Sequence, residues 1–376
     1  MRLLEAARRV VAMRLESGAW RGRWANAASR AWQASASPTR PIALPCGVRV
    51  VGVAGATLGG SLETPTVLAL GRAISAANGA GSVAIVARAH RAAPHRARLV
   101  LPLDTVAEVG DEALWLAREL AGTGCSVVVA PHRAEAIFFA AQRAPLVVVD
   151  GLLAATPTPL ALGVLTLDGH HPWGAGRCPP AGDQLASRAA LLGACDCVLV
   201  GAGPTQSSNV DPPRVQATDP IDVPRTWFSA AESLLGARAP DGRLVEHVEL
   251  SARRVGVLLG IARPSRVLRA LRARGIRPAV VRLASDHASA AELGSRAAGA
   301  DVDLWLTTGK CATKLGERCA GAPVHVLDHR VVLPPALVAA ALGRSFSFDR
   351  RGLDSRPQKT ASPAPFRASS TTEPAC

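Results

Sequence analysis

The sequence predicts an α/β fold: a mainly parallel sheet with helices on both faces, followed by a smaller C-terminal α/β unit. Three observations predict it. Short apolar runs of strand length alternate with helical stretches from about residue 48 onward, the pattern of a parallel sheet covered on both sides. A Pro-rich polar stretch at 204–225 interrupts the alternation, which then resumes to about residue 327. The composition, 48% hydrophobic and 19% charged over 376 residues, supplies a large core in roughly two domains and excludes disorder as the overall state.

Residues 1–33 stand apart. Leu4, Ala7, Val11 and Leu15 recur at helical spacing, with Leu3 and Val10 beside them. Seven arginines against two glutamates give the segment a charge of +5, and Trp20, Trp24 and Trp32 are three of the chain's seven tryptophans. Basic residues and Trp beside an apolar stripe describe a helix lying in a membrane interface. A helix packed on its own domain, with solvated arginines, satisfies the same pattern.

Residues 34–45, rich in Ser, Ala and Pro, read as a connector. Next come a strand at 48–53, a Gly-rich loop from Gly55 to Ser61, and a helix starting near Thr64. Val67, Leu68, Leu70, Ile74 and Ala77 give that helix its buried face. Strands are expected at 83–86, 126–129, 146–149, 164–167 and 197–200, with helices near 111–121 and 132–143. The stretch 146–167 is apolar enough to suggest a membrane span. Asp150, Pro157 and Pro159 lie inside it, however, and two buried strands joined by a turn explain it better. Beyond 204–225 the expected elements are a strand at 255–259, a helix at 264–273, and strands at 279–283, 304–307 and 324–327. From about Ser345 the chain turns to Ser, Pro, Thr and Arg and is expected to be disordered. The expected units are therefore 1–33, 46–215, 225–343 and a tail at 345–376.

Charge narrows the partners. The balance of 43 Lys and Arg against 29 Asp and Glu gives +14, and only Lys310, Lys314 and Lys359 are lysines. Attraction to an anionic membrane surface or to a phosphorylated substrate fits this charge. Nucleic acid does not. Aromatics are 3% with no Tyr, so single strands find no stacking platform, and the arginines are scattered instead of gathered on a reading helix. The eight cysteines include no CxxC pair, and the Cys195/Cys197 spacing is wrong for a zinc finger. They read as reduced, mostly buried thiols of a cytosolic protein. Arg2, Glu5, Arg8, Arg9 and Arg14 interrupt any apolar run at the N-terminus, so no secretory signal is expected.

The segment from Val50 to Pro65 carries Gly59 and Gly60 between a strand and a helix. Backbone N–H groups and a helix N-terminus cradle phosphates in that context, although a plain tight turn has the same local sequence. Later segments, in order, decide between the two. The chain resembles the tetraacyldisaccharide 4'-kinase family, P-loop kinases that phosphorylate a disaccharide lipid A precursor at the inner membrane. The family's loop GGTGKTP is here Gly59-Gly60-Ser61-Leu62-Glu63-Thr64-Pro65. Its SRGYG is Ala87-Arg88-Ala89-His90-Arg91, its GDE is Gly110-Asp111-Glu112, and its DDG is Val149-Asp150-Gly151. GNGRxLPAG becomes Gly174-Ala175-Gly176-Arg177-Cys178-Pro179-Pro180-Ala181-Gly182. In the second unit, Gly260-Ile261-Ala262-Arg263-Pro264 resembles a GIGNP-like turn, Asp286-His287 matches DH, and Thr307-Thr308-Gly309-Lys310-Cys311-Ala312 matches TTEKDA. The resemblance covers roughly residues 1–335.

The resemblance implies a P-loop NTPase-like fold and an ATP- and Mg²⁺-dependent lipid kinase, peripheral on the cytoplasmic face of the bacterial inner membrane. It implies Asp111 as the base near the 4'-hydroxyl, paired with His287, and a nucleotide cradle of Thr57, Gly59, Gly60, Ser61, Leu62, Glu63, Thr64 and Arg88. Thr64 and Asp150 would serve Mg²⁺. Taken singly, Asp111 fits a helix cap and Asp150 a strand end as well. Departures fall on the nucleotide side. Glu63 stands at the P-loop lysine, Leu62 at the glycine before it, and Val149 at one of the paired aspartates. Leu153 and Ala154 replace Gln-His, Ala175 replaces Asn, and Asp183 to Ala186 depart from PLRE. Two unit charges about 4 Å apart are worth roughly 4 kcal/mol near a protein surface, so reversing the charge at 63 is expected to weaken triphosphate binding. A non-catalytic glycolipid-binding protein on the same fold is the alternative expectation.

Overall fold

The computed structural model describes residues 2–35, 41–45, 47–202 and 226–344. The expected boundary at 204–225 and the tail at 345–376 lie outside the described residues. One twisted sheet organises the rest. Along its main path the strands in chain order are β1 Arg49–Gly55, β2 Val83–Val86, β3 Arg98–Leu99, β4 Ser126–Val129, β5 Leu146–Asp150, β6 Leu162–Asp168, β7 Cys197–Ala202, β8 Thr226–Arg238, β9 Val255–Leu259, β10 Val280–Leu283, β11 Leu304–Thr307 and β12 Ala322–Val332, with the two-residue strands Leu244–Val245 and Arg318–Cys319 pairing at its side. Across the sheet the order is β10-β9-β11-β12-β8-β7-β6-β1-β5-β2-β4-β3.

The helices that bear on the site are α1 Arg2–Glu16, α2 Arg23–Ser35, α3 Glu63–Asn78, α4 Asp111–Glu119, α5 Arg133–Ala141, α6 Pro264–Ala273, α7 Ala290–Ala297 and α8 Gly309–Ala312. Successive strand residues feed opposite cores, because side chains alternate across a sheet. Val51, Val53, Ile85 and Val127 pack with Leu70 and Ile74 of α3 and Leu114 and Leu116 of α4. Val50, Ala84, Val128 and Val147 pack with Ala136, Ile137 and Ala140 of α5 on the other face. Later in the chain, Leu271 of α6 and Leu293 of α7 likewise cover opposite faces. Ala77, expected on the buried face of α3, is exposed beside the helix-ending Gly79.

The expected turn at 146–167 is confirmed as β5, a short 3-10 turn and β6; among the described residues no helix is long and apolar enough to cross a membrane. The connector at 34–45 includes a short strand, Pro41–Ala43, parallel to Thr156–Thr158.

Strand β8 sets the geometry of the site. Thr226 to Ala231 pair in parallel with β7, and Ala231 to Arg238 pair antiparallel with β12, with a register shift between Leu234 and Ala237. The strands from β4 to β8 in the sheet order are parallel to one another, and so are β12, β11, β9 and β10. Because β8 is antiparallel to β12, the carboxyl ends of the two parallel sets face each other across it. Ligands of open α/β sheets bind outside the carboxyl ends of strands, and here two such ends share one crevice.

Candidate active site

A cavity of about 360 Å³ fills that crevice, within the range of small-molecule sites. The loop from Thr57 to Pro65, Arg88 and Asp150 line one side, and Arg263, Asp286, His287 and Lys310 line the other. All the expected cradle residues border it, as do Asp150 and His287. Asp111 does not: it is buried one layer behind His287.

The loop is held by its own side chains. Thr57 Oγ1 lies 2.6 Å from Ser61 Oγ and donates to the Gly59 carbonyl at 2.8 Å, while Ser61 Oγ accepts from the Thr57 N–H at 3.1 Å. Gly59 and Gly60 have no room for a Cβ, which would come within 2.6 Å of Ala262 and 2.7 Å of Arg263 respectively. Leu62 keeps the left-handed backbone (φ 68°) suited to the glycine it replaces. Its side chain turns into the core against Gly201, where a Cβ would fall 2.0 Å from Leu62 Cδ1. The methyl groups are thereby held by apolar packing, which offsets the roughly 1–2 kcal/mol that this conformation costs a non-glycine residue.

Glu63 opens α3 where a P-loop presents lysine. Its Oε1 is 3.9 Å from Arg88, is buried, and has no hydrogen-bond partner. Thr64 Oγ1 donates to Asp150 Oδ2 at 3.4 Å. Burial, reinforced by Glu63 and Glu112, pushes the Asp150 carboxyl up to about 8. Burial also raises Glu63, against the pull of Arg88. This corner holds more buried carboxylate than nearby arginine neutralises, and that excess suits a divalent cation. Among the described residues no group of three or more His, Cys, Asp or Glu side chains encloses a metal. One carboxylate and a hydroxyl, completed by phosphate oxygens and water, is nevertheless a donor set that Mg²⁺ accepts.

A pH prediction follows from Asp150. Below about 4 the carboxyl is neutral in both folded and unfolded chains. Between there and about 8 the unfolded chain has ionised while the fold still holds the proton, so stability falls as pH rises and then levels off. Without Mg²⁺, Asp150→Asn should remove much of this fall and melt a few degrees higher than wild type at pH 8. A thermal melt series at pH 5 to 9 that shows parallel curves for the two proteins counts against it.

Asp111 and His287, separated by 176 residues, meet directly. His287 Nδ1 lies 3.0 and 3.1 Å from the two Asp111 oxygens. Lys314 Nζ donates to Asp111 Oδ2 at 2.6 Å. Burial alone would raise the Asp111 carboxyl, but the His287 hydrogen bond with Lys310 and Lys314 holds it far below the usual carboxylate range. His90 stacks on the other ring, centroids 3.8 Å apart, and Arg91 Nη1 donates to the His287 carbonyl at 2.7 Å. His287 itself has left-handed backbone (φ 55°), a conformation uncommon outside glycine and frequent at functional sites. On its other nitrogen, Lys310 Nζ is 3.0 Å from His287 Nε2, and also 3.0 Å from Asp286 and 3.3 Å from Glu112.

Behind the loop, Arg263 ties the molecule together. Its Nη2 pairs with buried Asp183 at 2.5 Å, its Nη1 donates to the His171 carbonyl at 3.2 Å, and its N–H donates to Glu16 of α1 at 3.3 Å. Arg266 donates to the Gly60 carbonyl and to Glu232 in the middle of β8. Helix α2 docks through Ser29, whose hydroxyl donates to the Cys178 carbonyl at 2.7 Å, whereas Val10, Val11 and Met13 of α1 stay exposed and Trp24 is 90% exposed.

Sequence reasoning passed over Lys310, Lys314, Glu112 and Arg263 as site residues. The signal for the first two was in the composition. Of 43 basic residues only three are lysine, and both lysines in the described region stand at the Asp111–His287 pair.

Comparison with known proteins places these features in a family. The family model described as Tetraacyldisaccharide-1-P 4'-kinase matches residues 23–345. A protein of Anaeromyxobacter dehalogenans named tetraacyldisaccharide 4'-kinase is 33% identical over 315 residues, 80% of this chain and 76% of that protein. A Geobacter sulfurreducens protein of the same name is 30% identical over 77% of this chain and 82% of its own length. The crystal structure of LpxK from Aquifex aeolicus in complex with ATP shares the fold, with TM-score 0.60 at 18% identity over 85% of this chain and 94% of that one.

Proposed function

The chain belongs to the tetraacyldisaccharide 4'-kinase family, and on that premise we propose that it transfers the γ-phosphoryl group of ATP to the 4'-hydroxyl of the tetraacyldisaccharide 1-phosphate precursor of lipid A. The observation that carries the proposal is the Asp111–His287 contact, made at the edge of the cavity that the loop lines. In this reading residues 46–215 supply the nucleotide side and 225–343 the second wall. Thr64 and Asp150 would hold Mg²⁺, and the loop amides with Arg88 would face the phosphates. Bound Mg-ATP supplies the phosphoryl group and its neutralising metal.

The chain's own residues handle the proton. A carboxylate held so far below its ordinary range is a weak base, so Asp111 fixes the Nδ1–H tautomer of His287 and leaves Nε2 as the proton acceptor. Once protonated, the imidazolium is stabilised by the Asp111 charge beside it. His90 holds the ring plane by stacking.

The decisive assay offers ATP, Mg²⁺ and the tetraacyldisaccharide 1-phosphate to folded protein and follows labelled phosphate into the lipid. Absence of transfer at saturating nucleotide rejects the kinase reading. A second reading, a membrane-associated glycolipid-binding protein without catalysis, is favoured by the departures Glu63, Leu62 and Val149. It requires lipid binding with no calorimetric signal for Mg-ATP.

Helix α1 supports peripheral attachment to an anionic inner-membrane surface on the cytoplasmic face. Its exposed Val10, Val11 and Met13 lie within a segment, residues 1–33, of net charge +5, the combination that seats a helix among lipid headgroups. Changing all three to Glu should lower binding to anionic vesicles by at least about tenfold, from the apolar area withheld, and leave Mg-ATP affinity unchanged. Equal sedimentation of the two proteins with vesicles would exclude α1 as the anchor.

A further inference from the structure

We propose that Lys310 is the phosphate-binding cation of this protein, standing in for the lysine that the loop has lost at Glu63. The proposal rests on the kinase reading above. Lys310 lies between the two halves of the reaction site. Its ammonium touches His287 Nε2 on one side and Asp286 on the other, each at 3.0 Å. Asp286 in turn reaches the loop, its Oδ2 lying 3.8 Å from the position a Cβ on Gly59 would take. One carboxylate therefore separates the Lys310 ammonium from the glycine turn, and the acid–base pair is in direct contact with it.

Two other cations around the loop are committed elsewhere, Arg263 to Asp183 and Arg266 to Glu232, while Arg88, 3.9 Å from Glu63, would share the phosphates with Lys310. Lys310 is also held in place by its backbone. Trp115 of α4 packs so closely on Gly309 that a Cβ there would come 2.1 Å from the indole nitrogen. The helix that begins with Asp111 thus fixes the position of the residue before Lys310.

Side-chain chemistry agrees. In a chain that uses arginine for almost every other positive charge, this position has a compact ammonium with three donors that can be re-aimed. Burial opposes its charge, yet Glu112, Asp286 and Asp111 hold it protonated well above the ordinary lysine range. Those carboxylates keep the cation ready in the absence of phosphate. When phosphate oxygens take its donors, His287 Nε2 is released to accept the substrate proton.

The test is calorimetric binding of Mg-ATP to full-length wild type, Lys310→Met, Glu63→Lys and the double variant, with the melting midpoint of each recorded. Losing one charge-assisted contact should weaken Mg-ATP binding by roughly 10–100-fold in Lys310→Met, with binding of the lipid acceptor unchanged. Adding Glu63→Lys to that variant should restore most of the lost affinity, because the charge returns to the same phosphates from the loop side. If Lys310→Met does not fold, Lys310→Gln, which can still donate a hydrogen bond to Asp286, carries the same comparison. Unchanged Mg-ATP affinity in the folded Lys310 variant overturns the proposal and leaves the kinase reading standing. Loss of affinity that Glu63→Lys fails to restore also overturns it, assigning Lys310 to structure. Wild type that binds no Mg-ATP overturns the kinase reading and this proposal together.

Discussion

Replacing His287 by Ala is expected to lower the rate of phosphoryl transfer by roughly 10²–10⁴-fold, the range that a positioned general base contributes. Mg-ATP affinity should change by less than about threefold, because the imidazole does not touch the loop and Lys310 keeps its contacts with Asp286 and Glu112 when the ring is removed. Asp111→Asn should cost a comparable factor for a different reason. A carboxamide can turn its NH₂ toward Nδ1, which moves the ring proton to Nε2 and leaves no acceptor facing the hydroxyl. The double variant should be no slower than the worse single one, since the two residues act as a unit. Single-turnover rates beside calorimetric affinities separate these outcomes. Near-normal turnover in His287→Ala removes the acid–base assignment.

The second large effect concerns stability. Arg263→Ala leaves Asp183 buried without its partner, and breaking such a pair costs about 3–5 kcal/mol. That corresponds to a fall of roughly 10 °C in Tm. The side chain also packs against Gly60, and its neighbours include Glu16 of α1 and the 171–183 segment. Removing it should therefore loosen the phosphate loop and the N-terminal helix together. Changing both Arg263 and Asp183 to Ala should recover part of the loss, because no buried charge is then stranded. Equal melting midpoints for wild type and the single variant contradict the proposed role.

Much of the fold was legible because it is local. The strands at Val83–Val86, Ser126–Val129, Val255–Leu259 and Leu304–Thr307 and the helix Pro264–Ala273 lie where the apolar runs put them. Strand β8 was missed for a physical reason. Its first half pairs with β7 and its second half with β12, and Ala230, Ala231, Glu232 and Ser233 at the crossing show neither alternation nor a continuous apolar run. Since β8 decides where the two carboxyl ends meet, Asp111 and His287 could be named from motifs but not joined by any spacing in the sequence. The consequence of Leu62 was likewise illegible. A glycine replaced in a phosphate loop reads as an obstruction, and only the gap over Gly201 shows where the side chain goes. Glu63 differs from both: its charge reversal was plain from the sequence, whereas its neighbours Arg88, in the loop after β2, and Asp150, at the end of β5, required the fold.

The strand that passes from one parallel set to the other leaves no slack tether between the walls of the crevice. Any widening has to be absorbed as curvature along Ala231 to Ala237, where the ladder already slips and where Arg266 and His329 grip Glu232. The two walls of the crevice are therefore joined through continuous strand backbone and not through a loose strap.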